Sequence, residues 1–129
     1  MQEDAEKRLI WIGSSKRDLL CLPAPVRRFF GHALYYAQRG ERHESTKVLK
    51  GFGNAGILEI IEDDAKGTYR AVYTVRFSEA VFVLHCFQKK SLSGISTSKR
   101  ELDIIRNRLK MAEQVARELQ VAKKKTEPT

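Results

Sequence analysis

Hydrophobic and polar residues alternate with a period of two from residue 68 to residue 77, which is typical of a β-strand with one buried face. A second apolar segment, residues 80–87, follows Ser78-Glu79 and is interrupted only by His85. The pattern predicts two antiparallel strands joined by a tight turn. One face of the first strand receives Tyr69, Ala71, Tyr73, Val75 and Phe77, and the other receives Thr68, Arg70, Val72, Thr74 and Arg76.

The same pattern suggests a register for this hairpin. If Phe77 pairs with Ala80 across a two-residue turn, Arg70 lies opposite Phe87. We then expect the face of the tyrosines to include Phe82, Leu84 and Cys86. The opposite face brings together three polar side chains, Arg70, His85 and Lys89. A slip of one residue would reverse both assignments.

Two amphipathic helices flank the predicted strands. The first is preceded by a short helical segment over residues 15–22 and ends near Gly40, and the second follows a capping box at Ser98-Lys99-Arg100-Glu101. Their apolar stripes are Val26, Phe29, Phe30, Ala33, Leu34 and Ala37 in the first, and Leu102, Ile105, Leu109, Ala112, Ala116 and Leu119 in the second. His32 and Tyr36 lie beside the first stripe, and we expect them to pack at an interface.

The order of these elements predicts an α+β fold. Further strands are expected at residues 8–12 and 57–62, whereas residues 41–55 are expected to form a loop and a glycine-rich turn. The sequence therefore predicts one domain over residues 8–120, in which an N-terminal helical pair and a C-terminal helix surround a curved, mainly antiparallel sheet of four strands. Residues 1–7 and the basic tail 121–129 are expected to be disordered.

The chain of 129 residues carries 24 Lys and Arg against 16 Asp and Glu, a net charge of +8. Residues 68–96 alone contain four basic side chains and one acidic side chain. A basic surface on a small domain favours a polyanion as partner, nucleic acid above all, although positive charge can also serve only solubility. No apolar run approaches the ~20 residues that span a bilayer, and both cysteines are isolated, so we expect no membrane association and a cytoplasmic location.

Five segments between residues 22 and 113 carry a resemblance to a known family. They are Leu22-Pro23-x-x-Val26-Arg27, Leu49-Lys50-Gly51, Tyr69-Arg70-Ala71-Val72-Tyr73, residues 85–91 and the helix at 101–113. In their order and spacing they resemble the RelE/ParE superfamily of toxins from type II toxin–antitoxin systems, and most closely its HigB-like branch of phage-derived toxins.

The resemblance implies a RelE-like fold and two partners. We expect a cognate antitoxin, a helix-turn-helix protein, and mRNA on the ribosome, because many members of the family cut mRNA in the ribosomal A site. ParE relatives instead poison DNA gyrase. In RNA-cutting members a strand arginine and a basic residue after the last strand contribute to catalysis, and Arg70 and Lys89 match those positions. Well-studied members also carry two alternating lysines where this chain has Ile57-Leu58-Glu59-Ile60-Ile61, so the resemblance supplies no general base.

Cleavage of RNA needs no metal or cofactor, because the 2′-hydroxyl attacks the neighbouring phosphorus once a base, a cation and an acid assist. Arg70 suits the cation's role because its guanidinium matches two phosphate oxygens. His85, with an ordinary pKa near 6.5, suits proton transfer, and Lys89 suits the acid, or the base if neighbouring charge lowers its pKa. We expect no metal site and no cofactor. The phosphate-positioning residues are expected to be Lys47, Lys50, Arg76 and Lys90.

Each catalytic assignment has a structural alternative. His85 also fits a hydrogen-bonded core histidine, and Arg70 fits a cross-strand salt bridge with Glu59. Because the strand alternates cleanly, we expect Arg70 to reach solvent and its truncation to cost no more than about 1 kcal/mol. Three functions stay open. They are a ribosome-dependent mRNA endonuclease, which the sequence favours, a gyrase-directed toxin, and a catalytically inactive module that binds RNA or antitoxin.

Overall fold

A computed structural model of the chain describes residues 6–53, 56–89 and 97–126. In chain order the elements are β1 (Leu9–Trp11), α1 (Ser15–Leu20), α2 (Ala24–Gln38), β2 (Thr46–Val48), β3 (Ile57–Asp64), β4 (Gly67–Thr74), β5 (Val81–Lys89) and α3 (Lys99–Thr126). The strands form one sheet in the order β1-β5-β4-β3-β2. The first strand runs parallel to β5, and the other neighbouring pairs are antiparallel.

The α+β fold class is confirmed, but the predicted number of strands is wrong. Thr46–Val48, expected to lie in a loop, pairs with β3 and forms an edge of a five-stranded sheet. The segment has only three residues, and Lys47 and Val48 are both exposed, so it has no alternation that sequence analysis can detect. Thr46–Val48 forms a strand because its backbone pairs with β3.

Helices cover both faces of the sheet. On one face α1 and α2 pack over Leu58, Ile60, Tyr69, Tyr73 and Val83. On the other face α3 packs over Ile57, Val72, Phe82 and Leu84 through Ile105, Ala112 and Ala116. Burial on both faces explains why β5 is almost continuously apolar, since neither of its sides meets solvent.

The proposed register of the hairpin is right at one end and wrong at the other. Arg70 pairs with Phe87 as predicted, but an irregularity after Val72 leaves Leu84 without a partner in the register. This bulge moves Phe82 and Leu84 to the face covered by α3, whereas Cys86 lies with the tyrosines as expected. Residues 75–80 therefore connect the strands, and the predicted two-residue turn is wrong.

The helix ends largely follow their sequence signals. Proline lies in the first turn of α2, and Gly40, just beyond its end, has a φ of 80°, which favours glycine. The expected disorder at both termini is wrong for the residues described there. Lys7 donates its N–H to the Gln38 carbonyl at 2.9 Å, and α3 continues through residues 121–126. Residues 1–5 and 127–129 lie outside the described part of the chain.

Although α3 has 28 residues, none of the helices in residues 6–53, 56–89 and 97–126 is apolar enough over its length to cross a bilayer.

Replacing Phe30 by alanine should lower the free energy of unfolding by about 3–5 kcal/mol, because the ring is fully buried between α2 and the sheet and its loss leaves a cavity. The matched control is Tyr35→Ala on the same helix, where the side chain is 42% exposed and the expected change is within about 0.5 kcal/mol. Urea unfolding followed by circular dichroism measures both values. Equal effects would contradict this orientation of α2.

Candidate active site

A buried ion pair between β3 and β4 lies at the centre of the candidate site. Nη1 of Arg70 is 3.0 Å from Oε2 of Glu59, and the two side chains are only 4% and 1% exposed. Glu59 pairs with Val72 and Ile61 pairs with Arg70, so the two charged residues are diagonal neighbours on one face of the sheet. The expectation that Arg70 reaches solvent is therefore wrong. Strand alternation distinguishes two faces, but it does not reveal that α3 forms a second layer over this one.

The Glu59 carboxylate lines a pocket of about 230 Å³ at the edge of the sheet. Its Oε2 also accepts a hydrogen bond from the Thr97 hydroxyl at 2.9 Å. Its Oε1 is buried and has no hydrogen-bond partner among the residues that the structure describes. The other residues around the pocket are Lys47, Val48, Leu49, Lys50, Thr97 and Leu102. A carboxylate oxygen with unused acceptor capacity thus lies at a pocket with two lysines on its rim.

Lys89, at the end of β5, belongs to the same electrostatic environment. Burial lowers the pKa of its ammonium group, and the positive charge of Arg70 lowers it further. Lys47 acts in the same direction and Glu59 in the opposite one. The structure therefore brings together Lys47, Lys50, Arg70 and Lys89 of the predicted site residues. An ammonium group with a lowered pKa beside further positive charge is suited to holding a phosphate and to donating a proton.

Arg76, one of the predicted phosphate-positioning residues, is not part of this cluster. Arg76 lies on the connection after β4, with its guanidinium 5.5 Å from the Phe77 ring centre and 3.8 Å from a carboxylate oxygen of Glu113. Lys90 lies outside the described residues. Arg76 thus contributes to the link between the sheet and α3, and its contact with phosphate stays a prediction.

His85 is built into a polar network between β5 and α3. Its Nε2 is 2.6 Å from Oε1 of Glu101, and its Nδ1 is 3.4 Å from Nη1 of Arg108. Because a guanidinium only donates hydrogen bonds, Nδ1 is the acceptor and the ring proton lies on Nε2, where it is donated to Glu101. Burial lowers the pKa of the imidazole, and it outweighs the opposing effect of Glu101. Both ring nitrogens are thus engaged in holding α3 against the sheet.

The network extends to the start of α1. Arg108 also donates to the Leu84 carbonyl at 2.9 Å and to the Ser14 hydroxyl at 2.9 Å, and that hydroxyl donates to Asp18 at 2.7 Å. The side chains of Ser14 and Asp18 at the start of α1 therefore take part in a tertiary contact. Three parts of the chain that are distant in sequence are fixed by one guanidinium.

From the sequence, Glu59 is predicted only as a possible salt-bridge partner of Arg70, and its place in the pocket is not predicted. The signal was present, since Glu59 is the one charged residue in Ile57-Leu58-Glu59-Ile60-Ile61. A carboxylate in such an apolar strand is costly to bury and calls for a specific partner. Thr97 offered no comparable signal, because its contact depends on where α3 begins.

The fold and the pocket define a small α+β domain with a buried carboxylate–guanidinium pair beside a basic pocket. The chain belongs to the family described as phage derived protein Gp49-like (DUF891), which matches residues 17–110. The expected membership of a phage-derived family is thereby confirmed.

Among solved structures, the chain is similar to one in the crystal structure of the toxin–antitoxin complex RelBE2 from Mycobacterium tuberculosis. The identity is 18% and the TM-score is 0.46, over 70% of this chain and 100% of that chain. No curated protein matches the sequence.

Truncating Arg70 to alanine should lower the free energy of unfolding by about 3–5 kcal/mol, because the Glu59 carboxylate is left buried without its counter-charge. This replaces the small cost expected from the sequence. The double variant Glu59→Leu/Arg70→Met should recover most of the loss, since it removes both charges and fills the space. Denaturant unfolding of the three proteins tests this. A single variant within about 1 kcal/mol of the wild type would mean that the pair is solvated.

The stability of the wild type should fall as the pH is lowered from 7.5 to 5.5, with a contribution from His85. Because burial lowers the pKa of His85 in the folded state below its unfolded value near 6.5, the unfolded chain binds more protons in this window. The stabilisation that neutral His85 provides is complete above the pKa of histidine in the unfolded chain, near 6.5. It is lost as the pH falls through the lower pKa of His85 in the folded protein.

The His85→Asn variant, measured by thermal unfolding across the same range, should show a shallower pH dependence than the wild type. The control is His32→Asn, which removes an exposed histidine from the outer face of α2. If the His85 variant keeps the full wild-type slope, the imidazole is not the titrating group.

Proposed function

We propose that this protein is the toxin of a type II toxin–antitoxin system, of the HigB-like branch, and that it cleaves mRNA on the ribosome without a metal ion or cofactor. The observation that carries the proposal is the Glu59–Arg70 pair beside a pocket with Lys47 and Lys50 on its rim. This arrangement supplies a proton acceptor next to several cations, which are the two requirements of attack by a 2′-hydroxyl on a phosphodiester.

Glu59 is the general base in this proposal. Its Oε2 is held by Arg70 and Thr97, so the carboxylate has a fixed orientation, and Oε1 is left to accept the 2′ proton. The resulting alkoxide attacks phosphorus, the bond to the 5′-oxygen breaks, and the upstream fragment ends in a 2′,3′-cyclic phosphate. A base placed in this way contributes about 10²- to 10⁴-fold to such a rate.

The cations divide the remaining work. Lys47 and Lys50 hold the phosphate at the rim, and Arg70 stabilises the developing negative charge of the phosphorane while it orients Glu59. Lys89 protonates the 5′-oxygen as it leaves, and its lowered pKa makes it a stronger acid than an ordinary lysine. The catalytic role predicted for His85 fits less well, because both of its ring nitrogens already have partners in the network with α3.

The cognate antitoxin would hold the toxin inactive by covering the basic pocket with an acidic or amphipathic segment. Charge complementarity with the +8 chain supports this arrangement. The burial of Arg70 favours one alternative, a catalytically inactive module that binds RNA or antitoxin, because a guanidinium used only for the fold needs no exposure.

The Glu59→Gln variant should cut mRNA on programmed ribosomes about 10²- to 10⁴-fold more slowly than the wild type in single-turnover assays, since an amide does not accept the 2′ proton. The control is Glu62→Gln, on the same strand but on the opposite face of the sheet, which should cut at the wild-type rate. A melting curve for each variant separates lost chemistry from lost fold.

If Glu59→Gln is folded and cuts as fast as the wild type, another group is the base. Wild-type protein that cuts no RNA would favour the inactive module. Mapping RNA ends in cells after induction distinguishes the endonuclease from a gyrase-directed toxin, because only the endonuclease leaves new mRNA termini.

A further inference from the structure

The solvent-facing side of α2 has an unusual composition. The core stripe of the helix is Val26, Phe30, Ala33, Leu34 and Ala37. The positions on the opposite side, spaced by three and four, are Arg28, His32, Tyr35, Tyr36 and Arg39. No acidic residue occurs in Ala24–Gln38. A solvated helix face ordinarily mixes both charges, whereas the charged side chains on this one are all basic and lie beside aromatic rings.

Aromatic rings on this side pack against one another instead of lying separately in solvent. The His43 ring, from the loop after α2, lies 5.2 Å from Phe29, 5.7 Å from His32 and 5.4 Å from Tyr36, between ring centres. His32 and Tyr36 are 4.9 Å apart, and all four contacts are edge-on. His43 is itself fixed, because its Nδ1 accepts the Ser45 backbone N–H at 3.0 Å. We expected His32 and Tyr36 to pack at an interface within the protein. The two rings instead pack against each other on the outer surface of α2.

Arginines border the ring cluster. The Arg39 guanidinium lies 5.7 Å from the centre of the Tyr35 ring and donates to the tyrosine hydroxyl at 3.4 Å. Arg28 is exposed one turn before His32, and Arg42 is exposed in the loop beside His43. The nearby acids are Glu41 and Glu44 in that loop and Glu6 before β1, and none of them lies on the helix. Pre-arranged rings with cations between them are the combination that binds RNA, by stacking on bases and pairing with phosphates.

We propose that this surface, formed by Arg28, His32, Tyr35, Tyr36, Arg39 and His43, is a second RNA-binding surface that docks the protein on a large folded RNA. The proposal rests on the proposed function, in which the folded RNA is that of the ribosome. The surface lies on the α2 side of the sheet, whereas the Glu59 pocket opens on the α3 side. The sheet lies between the arginines of α2 and the pocket, but His43 and the rim residue Lys47 are only four residues apart and bring the borders of the two surfaces within about 14 Å of each other.

This separation defines the kind of RNA. A mononucleotide or dinucleotide in the Glu59 pocket is too short to reach the arginines of α2 as well, so it would use only one surface. A folded RNA with phosphates on both sides of the protein would use both at once, and its affinity would gain from the second contact. We call the surface formed by Arg28, His32, Tyr35, Tyr36, Arg39 and His43 the α2 surface. Because of it, we expect the protein to bind substrate on the ribosome more tightly than free RNA.

The test uses the full-length protein with the substitutions Arg28→Glu and Arg39→Glu together. The control is Arg117→Glu with Lys124→Glu, an equal charge change at exposed positions of α3. The probes are purified ribosomes and an RNA dinucleotide, each titrated at two salt concentrations. The α2 variant should bind ribosomes about tenfold or more weakly, with a smaller salt dependence, because two phosphate contacts are reversed in sign. Its binding to the dinucleotide, and the binding of the control to ribosomes, should stay close to wild type.

A second variant, His32→Ala with Tyr35→Ala, keeps both arginines and should also weaken ribosome binding, because it removes stacking surfaces. Equal losses for the α2 variant and the α3 control would overturn the proposal, since net charge alone would then explain binding. A variant that binds ribosomes normally but no longer binds the antitoxin would overturn it too, because the surface would be a protein interface. These binding measurements do not depend on whether the protein cleaves RNA. Wild-type protein that cuts no mRNA would refute the endonuclease and leave the docking surface standing if the α2 variant still loses affinity.

Discussion

The burial of one carboxylate, Glu59, is the constraint on which the site depends. Removing an ionised group from water costs several kcal/mol, and this cost is recovered only if a counter-charge and hydrogen bonds replace the lost water. Arg70 supplies the charge and Thr97 supplies a hydrogen bond. These contacts join β3, β4 and Thr97, which lies two residues before the start of α3. Since an apolar pair would stabilise such a position as well or better, the ion pair is easier to explain by chemistry than by stability.

The positive charges around Glu59 form a graded series from the interior to the surface. Arg70 is buried, Lys89 is partly buried with a lowered pKa, and Lys47 and Lys50 are exposed. An anion that approaches this edge of the sheet meets the exposed lysines first and the buried guanidinium last. Of the basic side chains in residues 68–96, Arg70 and Lys89 belong to this series, whereas Arg76 links the sheet to α3.

The position of α3 connects this site to the rest of the domain. Apolar contacts through Ile105 and Ala112 hold the helix on the sheet, but they do not fix its rotation or its starting point. The polar contacts of His85 with Glu101 and of Arg108 with Ser14 do so, because hydrogen bonds are directional. The α2 surface lies on the other side of the sheet, so the two basic regions are held at a constant separation.

The helices, the three longer strands and membership of a phage-derived family could be predicted from the sequence, because periodicity, capping residues and turn residues act within short segments. The sequence also predicted a site of Arg70, His85, Lys89, Lys47, Lys50, Arg76 and Lys90, of which the structure brings Arg70, Lys89, Lys47 and Lys50 together. The pairing of Thr46–Val48, the bulge that leaves Leu84 without a partner in the register, and the burial of Arg70 could not be predicted, because they depend on contacts between distant parts of the chain. Alternation along a strand shows that its two faces differ in polarity. The solvent exposure of each face, however, depends on the layer that packs against it. That layer is α3, whose place on the sheet is set by contacts between residues far apart in the chain.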